Sequence, residues 1–138
     1  MSQRTILILE DYDDRIRGFR RAVASLDREV GVRQWRDAPT MIAECAACLA
    51  RACLISLDHD LAAVPGEADP GTGLEVAEFL SLHPPACPVI LHTSNFDGRL
   101  AMQNRLRAAG WTVATVLPRE VGWIQTSWLP AARRLAGV

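Results

Sequence analysis

Five apolar runs, each followed by a stretch with helical spacing, leave this chain few architectures to adopt. The runs are Arg4–Glu10, Val32–Arg36, Cys53–Asp58, Pro88–Thr93 and Trp111–Leu117. Continuous β-branched and aliphatic residues, as in Ile6-Leu-Ile-Leu9, suit strands buried on both faces. Between them lie helical patterns. The first is capped by Asp13 and runs to about Asp27, with Ile16, Phe19, Val23 and Leu26 on one face. The second opens at Asp37-Ala-Pro39-Thr40 and runs to about Ala52. The others span roughly Leu74–Leu82, Gly98–Ala109 and Trp123–Leu135. Five βα units with right-handed crossovers make a parallel sheet. The usual doubly wound order is 2-1-3-4-5, with a ligand crevice where the order reverses between strands one and three.

A chain of 138 residues is read as a single domain, 1–138. Its 49% hydrophobic and 22% charged residues are those of an ordinary globular protein. A net charge of -1 gives no overall field favouring nucleic acid or an acidic membrane. The opening segment carries no small-residue cleavage site, and no apolar stretch approaches the roughly 20 residues that span a bilayer. The expectation is a soluble, cytoplasmic protein without a membrane partner. Cys45, Cys48, Cys53 and Cys87 are expected to be reduced core residues: Cys45-Ala-Ala-Cys48 lies inside a helical pattern, and no second pair completes a zinc site. Trp123, Ile124 and Trp128 are expected in the core, and His83 on the surface.

Three strand ends carry unusual polar residues. The first ends in Glu10-Asp11, followed by Asp13, Asp14 and Arg15; the third in Asp58-His59-Asp60; the fourth in His92-Thr93-Ser94-Asn95. In the expected strand order these ends are neighbours and converge on one crevice. Glu10, Asp11 and Asp58 are hard oxygen ligands suited to Mg²⁺ or another divalent metal. His59 and His92 have the chemistry of a base and an acid on either side of a phosphorus centre. Thr93, Ser94 and Asn95 can donate hydrogen bonds to phosphate oxygens beside a helix N-terminus. The loop 59–73 holds Pro65, Gly66, Pro70, Gly71 and Gly73 and is long for a compact domain, as functional loops often are.

At these positions the chain resembles the receiver domain of response regulators, a flavodoxin-like fold. Glu10 and Asp11 match its metal-binding acid pair, Asp58 its phosphoacceptor, Thr93 or Ser94 its strand-four hydroxyl and Gly73 a loop glycine. One element is missing. A receiver keeps a lysine before the proline after strand five; here Leu117 precedes Pro118, and all fifteen basic residues are arginine. Arg119 is nearby, but a guanidinium is not an equivalent point charge.

The closer resemblance is to the cyclic-phosphate processing receiver domains. Its marks are Ile8-Leu-Glu-Asp11 with Arg15, Ser56-Leu-Asp-His-Asp-Leu61, Gly71-Thr-Gly73, and His92-Thr-Ser-Asn95 with Gly98 and Met102. That resemblance implies processing of cyclic phosphate ends, such as 2′,3′-cyclic phosphates on nucleotides or RNA. The implied reaction is hydrolysis by His59 and His92, with Asp58 or Asp60 orienting a histidine and Arg15 joining Thr93, Ser94 and Asn95 around the phosphate. The alternative is an atypical receiver, acting as phosphoacceptor or as a module for a protein partner.

Overall fold

The structure is a computed structural model that describes residues 3–26 and 29–138. Five parallel strands, β1 Arg4–Leu9, β2 Val30–Trp35, β3 Ala52–Leu57, β4 Val89–Leu91 and β5 Val113–Thr115, form one sheet in the order β2-β1-β3-β4-β5. This is the flavodoxin-like, receiver-type arrangement expected from the alternation of runs.

Strand periodicity divides the core into two layers. Ile6 and Ile8 face a layer with Phe19 and Val23 of α1 (Asp13–Ala24) and Leu129 and Ala132 of the last helix. Leu7 and Leu9 point the other way. They meet Met41 of α2 (Ala38–Cys45), Val76 and Leu80 of α3 (Gly73–Leu80), and Met102 and Leu106 of α4 (Phe96–Ala108). Trp123, Ile124 and Trp128 belong to the first layer, and Trp128 has no solvent exposure. Among the described residues, no helix is long and apolar enough to cross a membrane.

Several boundaries differ from the sequence reading, each for a local reason. Tyr12 is the N-cap of α1 and makes no side-chain cap bond. Asp13 instead sits in the first turn and pairs with Arg36 across the β2 end. The helix stops at Ala24; Asp27, its expected end, lies outside the described residues. The second helical pattern tightens after Cys45 into a 3₁₀ segment, Ala46–Arg51, which brings the chain quickly into β3. The last helix begins as a π-helical turn, Ile124–Trp128, before α5, Leu129–Ala136. Pro130 has no N–H to give to the preceding turn, and its ring crowds the carbonyl four residues back, which loosens the ladder there.

All four cysteines are free; Cys45 and Cys53 are buried, whereas Cys48 and Cys87 are half-buried. Burial pushes the Cys45 thiol up to about 11 and that of Cys87 up to about 12, which leaves both unreactive at neutral pH.

β4 and β5 are shorter than their apolar runs. The ladder nevertheless continues one rung past β1, β3 and β4. The N–H of Glu10 donates to the Trp35 carbonyl, that of Asp58 to Leu9, and that of His92 to Leu57. Glu10, Asp58 and His92 therefore each have their backbone pinned to a neighbouring strand.

Candidate functional site

Glu10, Asp58 and His92 meet at the C-terminal edge of the sheet. Glu10 and His92 have no solvent exposure and Asp58 is 6% exposed. Burying two carboxylates beside an imidazole requires partners for every polar atom, and Glu10 has them. Its Oε2 accepts the backbone N–H groups of Asp11 (3.1 Å) and Tyr12 (3.2 Å), while Oε1 lies 3.2 Å from His92 Nε2. Burial alone would raise this carboxyl. The His92 hydrogen bond, the nearby charge of Arg15 and the Tyr12 N–H outweigh it and hold Glu10 below the usual range.

His92 is held from behind. Its Nδ1 lies 2.7 Å from Ser56 Oγ, and that oxygen accepts the indole N–H of Trp128 at 3.0 Å. Phe19 and Trp123 pack on the ring, with centroids 5.0 and 6.0 Å away. The sequence reading did not single out Ser56 or Trp128 for the site. Their signal was Ser56 itself, one polar side chain in the apolar run Cys53–Leu57, where a buried hydroxyl must find partners.

Asp58 differs from Glu10. Its Oδ1 accepts the His59 N–H at 2.8 Å. Burial raises its carboxyl to about 6; the charge of Glu10 adds to the rise, while His92, the His59 N–H and Arg15 act against it. The cation at this site comes from α1. Arg15 Nη1 lies 3.6 Å from Glu10 Oε1 and 3.8 Å from Asp58 Oδ2, and its guanidinium sits 5.4 Å above the Trp123 ring. Among the described residues Arg119 forms no ion pair, and Leu117, where a receiver carries lysine, is half-buried.

His59 occupies a second, more open hydrogen-bonded group. Its Nδ1 lies 2.9 Å from Asp60 Oδ1. Asn95 Nδ2 reaches both Asp60 carboxylate oxygens at 3.2 Å, while Asn95 Oδ1 accepts the Gly98 N–H and caps α4. Asp60 and Thr72 form an isolated antiparallel bridge, so the long loop is tied back at its base. Thr93 is buried and its Oγ1 accepts the Asn95 N–H at 3.1 Å; Ser94 is exposed. The two histidines thus have separate partners: His92 has Ser56 and Glu10, His59 has Asp60 and Asn95.

A divalent ion, which the fold family implies, fits part of this arrangement. One ligand atom each from Glu10, Asp58 and His92 lies within 4.8 Å of the others. The two carboxylates suit Mg²⁺ or Mn²⁺, whereas both His92 nitrogens are already engaged by Ser56 and Glu10. Asp11, the other expected metal carboxylate, is half-exposed and its Oδ2 accepts the Ala62 N–H.

Comparison with solved structures places the fold among response-regulator receivers. The phosphorylated cyanobacterial phytochrome response regulator RcpA is 17% identical, with a TM-score of 0.68 over 96% of this chain and 91% of that one. The response regulator domain of Thermotoga maritima CheB is 14% identical, with a TM-score of 0.67 over 99% and 98%. The Mn²⁺-bound form of response regulator Rcp1 is 22% identical, with a TM-score of 0.62 over 91% and 94%. No curated protein matches the sequence. The family model described as "Cyclic-phosphate processing Receiver domain" matches residues 5–108, the stretch that holds every residue of the site described above except Trp123 and Trp128. The chain belongs to the cyclic-phosphate processing receiver domain family.

Proposed function

We propose that this domain binds and hydrolyses a cyclic phosphodiester, of the 2′,3′-cyclic type found on nucleotides or RNA ends. The observation that carries the reading is His92. A fully buried imidazole bonded to Glu10 adds proton-transfer capacity that phosphorylation of an aspartate does not need. Arg15 supplies positive charge for the phosphate, with the α4 N-terminus and the Thr93–Asn95 turn beside it. If Nδ1 of His59 donates to Asp60, its Nε2 keeps a lone pair and can take a proton from water. Water oxygen then bonds to phosphorus, one ring P–O bond breaks, and the leaving oxygen takes a proton. His92 and Glu10 are both fully buried, so the proton they share reaches the leaving oxygen when the end of the sheet opens. Glu10 and Asp58 would hold a divalent ion that neutralises charge on the phosphate.

The test is turnover of 2′,3′-cyclic mononucleotides and cyclic-ended RNA, with and without Mg²⁺ or Mn²⁺. His59→Ala and His92→Ala should each lower the rate by about 10²–10⁴. Turnover by the wild type no greater than by His92→Ala would remove the proposal.

Asp58 supports a second reading. It ends β3 in a receiver-type sheet, keeps slight exposure and lies beside Arg15, as an aspartyl phosphoacceptor with a protein partner would require. Under that reading a small phosphodonor adds one phosphate to the intact mass, and Asp58→Asn abolishes the addition. An unmodified mass rejects it.

A further inference from the structure

The bonds behind His92 have a direction. An indole N–H can only donate, so at the 3.0 Å contact Ser56 Oγ must accept from Trp128. The serine hydroxyl still has one proton to place, and it is fully buried. Its one other partner among the described residues is His92 Nδ1, at 2.7 Å. If Nδ1 were protonated, Ser56 would face two donors and its own proton would be stranded in the core without an acceptor.

We infer that Ser56, its lone pair engaged by Trp128 and its proton left with Nδ1 as its partner, keeps His92 Nδ1 an acceptor, so that the ring carries its proton on Nε2 and presents it to Glu10. All three bonds then run one way: Trp128 to Ser56, Ser56 to His92, His92 to Glu10. Trp128 and Ser56 are positioning residues; neither lies where substrate could touch it. A ring wired in this way donates toward the site. It does not offer Nε2 as a metal ligand, which leaves the oxygens of Glu10 and Asp58 to hold any cation. The role in proton delivery rests on the cyclic-phosphate reading, whereas the tautomer does not.

The test is imidazole ¹⁵N–¹H correlation on the full chain without metal or substrate, at neutral pH. The expected wild-type pattern for His92 is an unprotonated Nδ1 and a protonated Nε2. Ser56→Ala removes the hydroxyl that donates to Nδ1, and the Nδ1-protonated share should rise about three- to tenfold. A protonated Nδ1 in the wild type, or an unchanged pattern in a folded Ser56→Ala, overturns the inference. Neutron diffraction of the wild type decides the same point with no variant: deuterium on Ser56 Oγ should point at Nδ1, and deuterium pointing elsewhere rejects it. Absence of phosphodiesterase turnover would reject the proposed reaction and leave this result standing.

Discussion

His59 packs directly on Gly98: a Cβ built on that glycine would fall 2.6 Å from the ring's Cγ and 2.7 Å from its Nδ1. The ring therefore has its place only because the first turn of α4 carries no side chain there. Gly98→Ala should push His59 away from Asp60 and Asn95, at a cost of about 1–3 kcal/mol from overpacking. Chemical denaturation measures that cost, and the His59 imidazole resonances should move while those of His92 stay. Unchanged His59 resonances would contradict the contact.

Asp58 makes stability depend on pH in a direction opposite to that of most carboxylates. Its folded value of about 6 lies above the ordinary 3.8, so the folded protein holds the proton more tightly than the unfolded chain. This contribution is fully present below about pH 4 and is lost as pH rises through 6, a change on the order of 3 kcal/mol. Asp58→Asn should be more stable than wild type at pH 7 and lose most of that advantage at pH 4. Urea denaturation at the two pH values checks it; a constant difference would sink the prediction.

Arg15 gives effects of opposite sign for cations and anions. Removing it in Arg15→Ala leaves Glu10 and Asp58 with less positive charge beside them. Mn²⁺ should bind several-fold more tightly, and inorganic phosphate about tenfold more weakly. Calorimetric titration of both ions distinguishes this from general damage, which would weaken both.

Divalent ions should stabilise the protein through Glu10 and Asp58. Mn²⁺ at about a hundred times its dissociation constant adds about 2.7 kcal/mol to a folded state that alone binds it. Glu10→Gln and Asp58→Asn should each abolish the rise in Tm. Asp11→Asn should keep most of it, because Asp11 is engaged with the Ala62 N–H. An equal loss in all three would place Asp11 among the ligands.

The sheet was legible in the sequence because its strands are apolar on both faces, a pattern set by burial and visible in Ile6-Leu-Ile-Leu9. The strand-end clusters were legible for the converse reason: Glu10, Asp58 and His92 interrupt such runs. How they divide was not. His92 is partnered by residues 82 and 36 positions away, and Ser56 by one 72 positions away, distances at which local pattern carries no signal. The cap of α1 was misplaced for a similar reason. Asp13 has the chemistry of a cap, but Arg36 on another strand end claims its carboxylate.

The burial of His92 and Glu10 sets the pace at which their shared proton can be renewed. His59 is partly open and exchanges hydrogen with bulk water directly. The proton between His92 and Glu10 has no such route and must wait for a rung of the sheet's end to open. Transfer into heavy water should therefore label one histidine at once and the other only on the fold's own breathing time. Within one small domain, solvent isotope becomes a means of timing the two imidazoles separately.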